Sequence, residues 1–190
     1  MSRKRRVDPV ELLKQTEKLL MEVGYPSFHF RLLAERLGVA RSTIYEYYSN
    51  KEELVTDYMK EVMRQINEEC SEIDPHLSPI NKITAILRIF LNHSQMHQII
   101  QYTPLIASNA TPQVRADLMD LAREHNHLYQ WLFDLINQAK QQGEIHQDVP
   151  TNMLAQMIFY SIFIPNHEQL PIEQFANQLE KIIFDEIRIK

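Results

Sequence analysis

Apolar residues recur along the chain at intervals of three and four, as in Leu12, Leu19, Leu20 and Val23 and again in Leu118, Leu121, Leu128, Leu132 and Leu135. That spacing puts them on one face of an α-helix, and no comparable stretch alternates with the period of two expected of a half-buried strand. The punctuation agrees. Asp8-Pro9-Val10-Glu11 joins a capping Asp to a Pro suited to the first helical position and a Glu placed to reach back as in a capping box. Ser78-Pro79 and Thr111-Pro112 repeat the start signal, and each of the three glycines, Gly24, Gly38 and Gly143, follows an apolar-periodic stretch where a helix can end. The pattern predicts an all-α chain of about nine helices, at 9–23, 30–37, 41–47, 51–72, 79–92, 94–101, 112–142, 150–164 and 171–188. Between Gln95 and Ala110, Pro104 and the run Ala107-Ser108-Asn109-Ala110 argue for a broken helix or a loop.

Residues 30–48 carry the most informative pattern: Leu33-Ala34, then Leu37-Gly38-Val39, then Ile44 and Tyr47. Two short helices crossing steeply need a small residue at their approach, supplied by Ala34, and a tight turn after the first, supplied by Gly38. Leu33, Leu37, Val39 and Ile44 then form a small core beneath a helix-turn-helix. The second helix is left to present Arg41, Ser42, Thr43, Tyr45 and Tyr47, all hydrogen-bond donors, to a major groove.

Together with Gly24-Tyr25 and the run Thr43-Ile44-Tyr45-Glu46-Tyr47-Tyr48-Ser49-Asn50-Lys51-Glu52-Glu53-Leu54, the segment Leu33 to Val39 closely resembles the DNA-binding domain of the TetR family of bacterial transcriptional regulators, over residues 9–58. The resemblance implies a three-helix DNA-binding head in residues 1–56 and a helical effector-binding and dimerisation domain in 57–190. It implies that Thr43 and Tyr47 meet phosphates or base edges, that Tyr45 packs on a thymine methyl or the backbone, and that Arg31 touches a phosphate or a guanine edge. Lys51 resembles the lysine that opens the fourth helix and meets a phosphate. Tyr48 stands where Phe is usual and is assigned to the core. Two positions depart from the family pattern: Phe28-His29 replaces the usual capping Thr or Ser, so the second helix starts differently or is capped by Ser27, and Ser42 replaces a common Gly. The basic run Arg3 to Arg6 reads either as an arm for the minor groove or phosphates, or as a solvated tail.

In this family the last two helices pair with a second subunit, and effectors bind inside the helical domain. Met153, Met157 and Ser161 on one helix, with Phe175, Leu179, Ile182 and Ile183 on the other, supply apolar faces for such a homodimer. Phe90, His93, His97, Tyr102, Trp131 and Phe159 mix bulky walls with hydrogen-bonding groups, as small-molecule pockets do; Phe90, Trp131 and Phe159 also read more simply as ordinary core. The resemblance therefore implies a ligand-responsive repressor that binds a palindromic operator in double-stranded DNA as a homodimer. A small effector would shift the helix after the head and change the separation of the two recognition helices. The alternatives are a helical interaction protein whose DNA binding is effector-independent, and a metal sensor on the same fold.

Composition narrows the field further. With 44% hydrophobic and 24% charged residues in 190, the chain should fold as one domain, or as a small one attached to a larger. No apolar run approaches the roughly 18 residues of a membrane span, and Met1-Ser2-Arg3-Lys4-Arg5-Arg6 does not open a signal peptide, so a cytoplasmic protein is expected. The single cysteine, Cys70, has no partner for a disulfide or a CxxC motif. The net charge of −5 is uneven: residues 1–54 hold ten Lys and Arg against eight Asp and Glu, and 55–190 hold ten against seventeen. A polyanion partner thus suits the N-terminal third. There is no Gly-x-Ser-x-Gly elbow, Gly-rich phosphate loop or Rossmann fingerprint, and Glu52-Glu53 and Glu68-Glu69 read as solvated helix faces, so no enzyme is expected. His93 and His97, with His125 and His127, have a spacing open to metal ligation, but eight histidines make coincidence common and no His-Glu-x-x-His or cysteine accompanies them. Neither a metal nor another cofactor is expected.

Overall fold

The computed structural model describes residues 6–94 and 99–188. Among them the elements are α1 (Pro9–Ser27), α2 (Phe30–Leu37), α3 (Arg41–Tyr45), α4 (Lys51–Ser71), α5 (Pro79–Asn92), α6 (Thr103–Ser108), α7 (Pro112–Gln141), α8 (Thr151–Tyr160), a 3-10 turn (Ser161–Phe163) and α9 (Ile172–Phe184). No strand forms among the described residues; an isolated antiparallel bridge joins Ile145 to Arg188. None of the described helices is long and apolar enough to cross a membrane.

The helix starts show which sequence signals are used. Asp8 caps α1 by accepting from the Val10 amide at 3.1 Å, but Glu11 is taken by Gln15 Nε2 at 2.7 Å, so the expected capping box is only half made. Ser78 has the extended conformation of a cap, yet the Ile80 amide donates to Glu144 Oε2 at 2.8 Å: a carboxylate from beyond α7 takes the place expected of the serine. Thr111 Oγ1 accepts from the Val114 amide at 3.2 Å, as its position before Pro112 suggests. Gly24, at φ +73°, breaks α1 where the sequence pattern ends the helix, after which one further turn leads to Phe28.

The break expected around Pro104 takes the form of a turn at 101–102 followed by a short separate helix, α6, with Pro104 in its first turn, where the missing N–H has no intrahelical acceptor to lose. The helix expected at 94–101 runs across residues outside the described set. The helix expected at 150–164 changes to a 3-10 turn at Ser161, and the one at 171–188 stops at Phe184.

The chain forms two compact units, residues 1–62 with 98–121, and 63–97 with 122–190. The core of the first contains Leu12, Leu19, Leu20, Phe28, Phe30, Leu33, Ile44 and Leu54; Leu37 and Val39, expected beside them, are half-buried. That of the second contains Ile83, Leu87, Leu91, Leu132, Ile136, Ile158 and Phe184. There Arg88 of α5 holds one face of α9, donating to Glu173 at 2.9 Å, Asn177 at 2.6 Å and Glu180 at 2.8 Å. Phe159 meets Phe90, His125 and Tyr129 edge-on, with ring centroids 5.3, 4.5 and 5.5 Å away.

His125 carries a pH consequence. Burial holds its imidazole below the ordinary value of 6.5, favouring the neutral ring in the folded state. Above pH 6.5 folded and unfolded chains are both neutral at this position. As the pH falls below it the unfolded chain takes up the proton first, so stability drops until the folded ring also protonates. His125→Leu should flatten this part of the acid dependence, as read by urea unfolding at about pH 7.5 and about pH 5.5. An unchanged difference between the two pH values would refute the assignment.

Candidate nucleic-acid interface and regulatory pocket

The head is built around Gly38. Its φ of +65° ends α2, while the Val39 amide donates to the Ala34 carbonyl at 3.0 Å and the Gly38 amide to Glu35 at 3.2 Å, a closure that a β-carbon would strain. The chain then turns directly into α3, packed on fully buried Leu33 and Ile44. His29 caps α2, its Nδ1 accepting from the Leu32 amide at 3.3 Å, so the cap expected to differ, or to be left to Ser27, is made by the imidazole lone pair. Arg36 ties α2 to α1 by a two-pronged pair with Glu22, whose carboxyl it holds below its ordinary range.

Arg41, Ser42 and Tyr45 are exposed on α3. Arg41 donates to the Tyr45 hydroxyl at 2.7 Å and lies 5.2 Å from its ring centroid, and Phe30 meets the other side of the pair edge-on at 5.0 Å. The tyrosine is thereby held in one orientation with a cation beside it, a suitable start for groove contacts. Arg31 is also exposed, paired with Glu35 at 3.5 Å. Thr43, by contrast, is only 5% exposed: its side chain faces into the head.

Tyr47 and Lys51 are engaged within the protein. The Tyr47 hydroxyl accepts from the Val7 amide at 3.2 Å and donates to the Val7 carbonyl at 3.0 Å. Lys51 Nζ donates to the carbonyls of Tyr25 at 3.1 Å and Phe28 at 3.3 Å and sits 4.3 Å from the Tyr25 ring centroid, which leaves one of its three protons for a phosphate. Next to it Glu52, expected on a solvated face, is buried and accepts from the Tyr25 hydroxyl at 2.9 Å; burial and this carboxylate push the phenol well above its ordinary range. Glu53 and Asn50 form the box that starts α4, with the Glu53 amide donating to Asn50 Oδ1 at 2.8 Å and Ser49 donating to Glu53 at 2.9 Å. Tyr48 is half-buried, and its hydroxyl donates to Asp57 at 2.5 Å, a partner the usual Phe could not use.

The six residues expected around an effector do not all come together. Phe90 and Phe159 are buried against each other as core. His93 Nε2 pairs with Glu69 at 2.7 Å. Tyr102 belongs to the first unit, its ring tilted by 30° against that of Tyr25 with 5.8 Å between centroids, and His97 lies outside the described residues. Trp131 does line a cavity of about 320 Å³, with Asn67, Cys70, Ser71, Glu124, His127 and Leu128. Burial pushes the Cys70 thiol up to about 12, so it stays protonated and is no nucleophile. Among the described residues no three His, Cys, Asp or Glu side chains are placed to hold a metal ion.

Of the expected dimer residues, Met153, Met157 and Ile182 are exposed and Phe175 is half-buried. Ser161, Leu179 and Ile183 are buried within this chain. The exposed set gains Tyr160, Phe163, Ile164 and Ile172, which the sequence pattern did not single out.

A helix-turn-helix whose second helix turns an Arg-Tyr pair to solvent has the layout of a DNA-reading head. The family described as "Bacterial regulatory proteins, tetR family" matches residues 12–58. The fatty acid metabolism regulator protein of Bacillus subtilis (strain 168) is 22% identical over 189 residues, covering 95% of this chain and 96% of that protein. Among solved structures, AibR in complex with isovaleryl coenzyme A and operator DNA superposes with a TM-score of 0.72 at 20% identity, covering 93% of this chain and 97% of the other. FadR from Bacillus subtilis in complex with stearoyl-CoA superposes with a TM-score of 0.66 at 21% identity, covering 95% and 100%. Residues 12–58 thus carry a DNA-binding domain of the tetR type found in bacterial regulatory proteins, and the chain as a whole shares the fold of these regulators.

Proposed function

We propose that the protein is a cytoplasmic homodimeric repressor that reads a palindromic operator and is released from it by an acyl thioester of coenzyme A. Residues 1–56 serve as the reading head, with Arg31, Arg41, Ser42 and Tyr45 at the DNA and Lys51 offering its remaining proton to a phosphate. Residues 57–190 bind the effector and the second subunit. The observation that carries the reading is the outward Arg41–Tyr45 pair on α3, since one such helix reads only a few base pairs and a palindrome doubles it. The effector class is supported by the ligands named for two structures of the same fold, isovaleryl coenzyme A and stearoyl-CoA. The cavity at Trp131 suits the acyl part, with Cys70, Leu128 and Trp131 as apolar contacts.

The test is selection from a random duplex pool at fixed near-physiological salt, followed by titration of the enriched duplex with isovaleryl-CoA, stearoyl-CoA and coenzyme A alone. The expected result is an enriched palindrome, released by an acyl-CoA and not by the free thiol, with a change in the fluorescence of Trp131, the one tryptophan of the sequence. Tenfold release corresponds to about 1.4 kcal/mol of effector preference for the DNA-free state. Binding of the palindrome that no acyl-CoA alters would favour effector-independent regulation; salt-sensitive binding without enrichment would overturn operator reading.

A further inference from the structure

Resting on the operator reading of α3, we infer that Arg41 is the guanine-reading residue of the head and that Tyr45 positions it, so each half-site must contain a guanine facing this pair. The pair is dominated by donors. A guanidinium carries five N–H groups and accepts nothing; one of them goes from Nη2 to the Tyr45 hydroxyl at 2.7 Å, which leaves four for a ligand. The Tyr45 oxygen accepts here, so the phenol's own proton also remains to be donated. Both side chains are exposed. Such a face matches acceptors. Among the major-groove edges of the four bases, only guanine sets two acceptors, N7 and O6, side by side. Adenine and cytosine each present an amino donor, and thymine has a single acceptor beside its methyl group.

The packing around the pair holds the guanidinium for this task. Arg41 and Tyr45 stand four apart on α3 and share a face. Buried Phe30 fixes the Tyr45 ring from the side of α2, meeting it edge-on at 68° with 5.0 Å between centroids. Arg41 in turn rests its charge 5.2 Å from the centroid of that ring. A guanidinium anchored on both ring and hydroxyl loses less side-chain freedom on meeting a base than one that swings in solvent. Arg31 differs: it is paired with Glu35 at 3.5 Å, a carboxylate that must be displaced before a base or phosphate is met.

The experiment uses the full-length protein and the palindrome enriched from the random duplex pool. Each guanine of a half-site is replaced in turn by 7-deazaguanine, which lacks the N7 acceptor, and by inosine, which keeps N7 and O6 and loses only the minor-groove amino group. For the wild type, 7-deazaguanine at one position should weaken binding by about tenfold or more, and inosine there hardly at all. Arg41→Ala should bind the natural and 7-deazaguanine duplexes equally. Tyr45→Phe keeps the ring on Phe30 and removes the oxygen, so it should lower the wild-type ratio severalfold; a merely structural role would weaken both duplexes alike. Thermal unfolding without DNA detects any loss of folding, and the wild-type comparison does not depend on either variant. A palindrome without guanine, a wild type indifferent to 7-deazaguanine at every position, or an Arg41→Ala protein that keeps the full penalty would overturn the assignment and leave operator reading intact. Salt-sensitive binding without enrichment would overturn both.

Discussion

Lys51→Met is expected to lower the unfolding temperature of the DNA-free protein by roughly 4–8 °C while also weakening DNA binding. The family resemblance implies a phosphate contact for this lysine, but two of its protons already serve the carbonyls of Tyr25 and Phe28, on the turn between the kink at Gly24 and the start of α2. Methionine preserves much of the apolar stem and removes the donor, leaving those carbonyls without the ammonium. Hydrogen bonds to a charged group contribute about 1.5–3 kcal/mol, and for a half-buried pair of them a loss of about 2 kcal/mol is reasonable. In a chain of this size each kcal/mol moves the midpoint by about 2–4 °C. Arg41→Ala is the contrast: its partners are on the surface, so DNA affinity should fall with the unfolding temperature nearly unchanged. Calorimetry on the three proteins without DNA checks both statements. A Lys51→Met protein that unfolds with the wild type would return the lysine to a purely DNA-facing role.

The contrast between these residues shows what a linear reading can reach. The head was legible because its determinants are local: Ala34, Gly38 and Ile44 act within one turn or one helix crossing, and their spacing suffices to place them. Arg41 and Tyr45 were also legible from periodicity, since residues four apart on a helix meet. Thr43, Tyr47 and Lys51 share the recognisable pattern but have partners or burial set by packing between distant segments, such as Val7 and Tyr25. Donor type can be read from a residue's name, whereas the acceptor it finds depends on the folded chain. The same limit explains Glu52, whose neighbour Glu53 does face outward as a capping residue, and Glu144, which caps a helix that begins 65 positions earlier in the chain, at Pro79. For the effector set, apolar bulk could not separate core from cavity: Phe90 and Phe159 found each other, and Trp131 found open space with Cys70 and His127.

Met157→Glu and Ile182→Glu, singly or together, should convert the protein to a single-chain species in sedimentation and reduce affinity for an enriched palindrome by about a thousandfold or more, toward the non-specific level. The reason lies in how α8 and α9 use their faces. On α8, Leu154, Ala155 and Ile158 are buried in the chain's own core, yet Met153, Met157 and Tyr160 make a second apolar stripe that is 46–57% exposed. A helix apolar on both sides is built to be covered on both sides. On α9, Arg88 engages the polar face at Glu173, Asn177 and Glu180, while Ala176, Leu179 and Ile183 face the core. That arrangement leaves Ile182, 72% exposed, beside half-buried Phe175 on an apolar arc wider than one chain covers. A two-fold interface would bury each position twice, so one substitution places two carboxylates in an apolar contact, each costing several kcal/mol without a partner. Folding should survive, because both side chains point away from the chain's own core, and circular dichroism would confirm it. Met119→Glu, at an exposed position on α7, should leave the oligomer intact. A wild-type protein that sediments as one chain, or variants that remain dimeric, would show that these stripes are not the interface and that the second recognition helix must be brought to the palindrome by another surface.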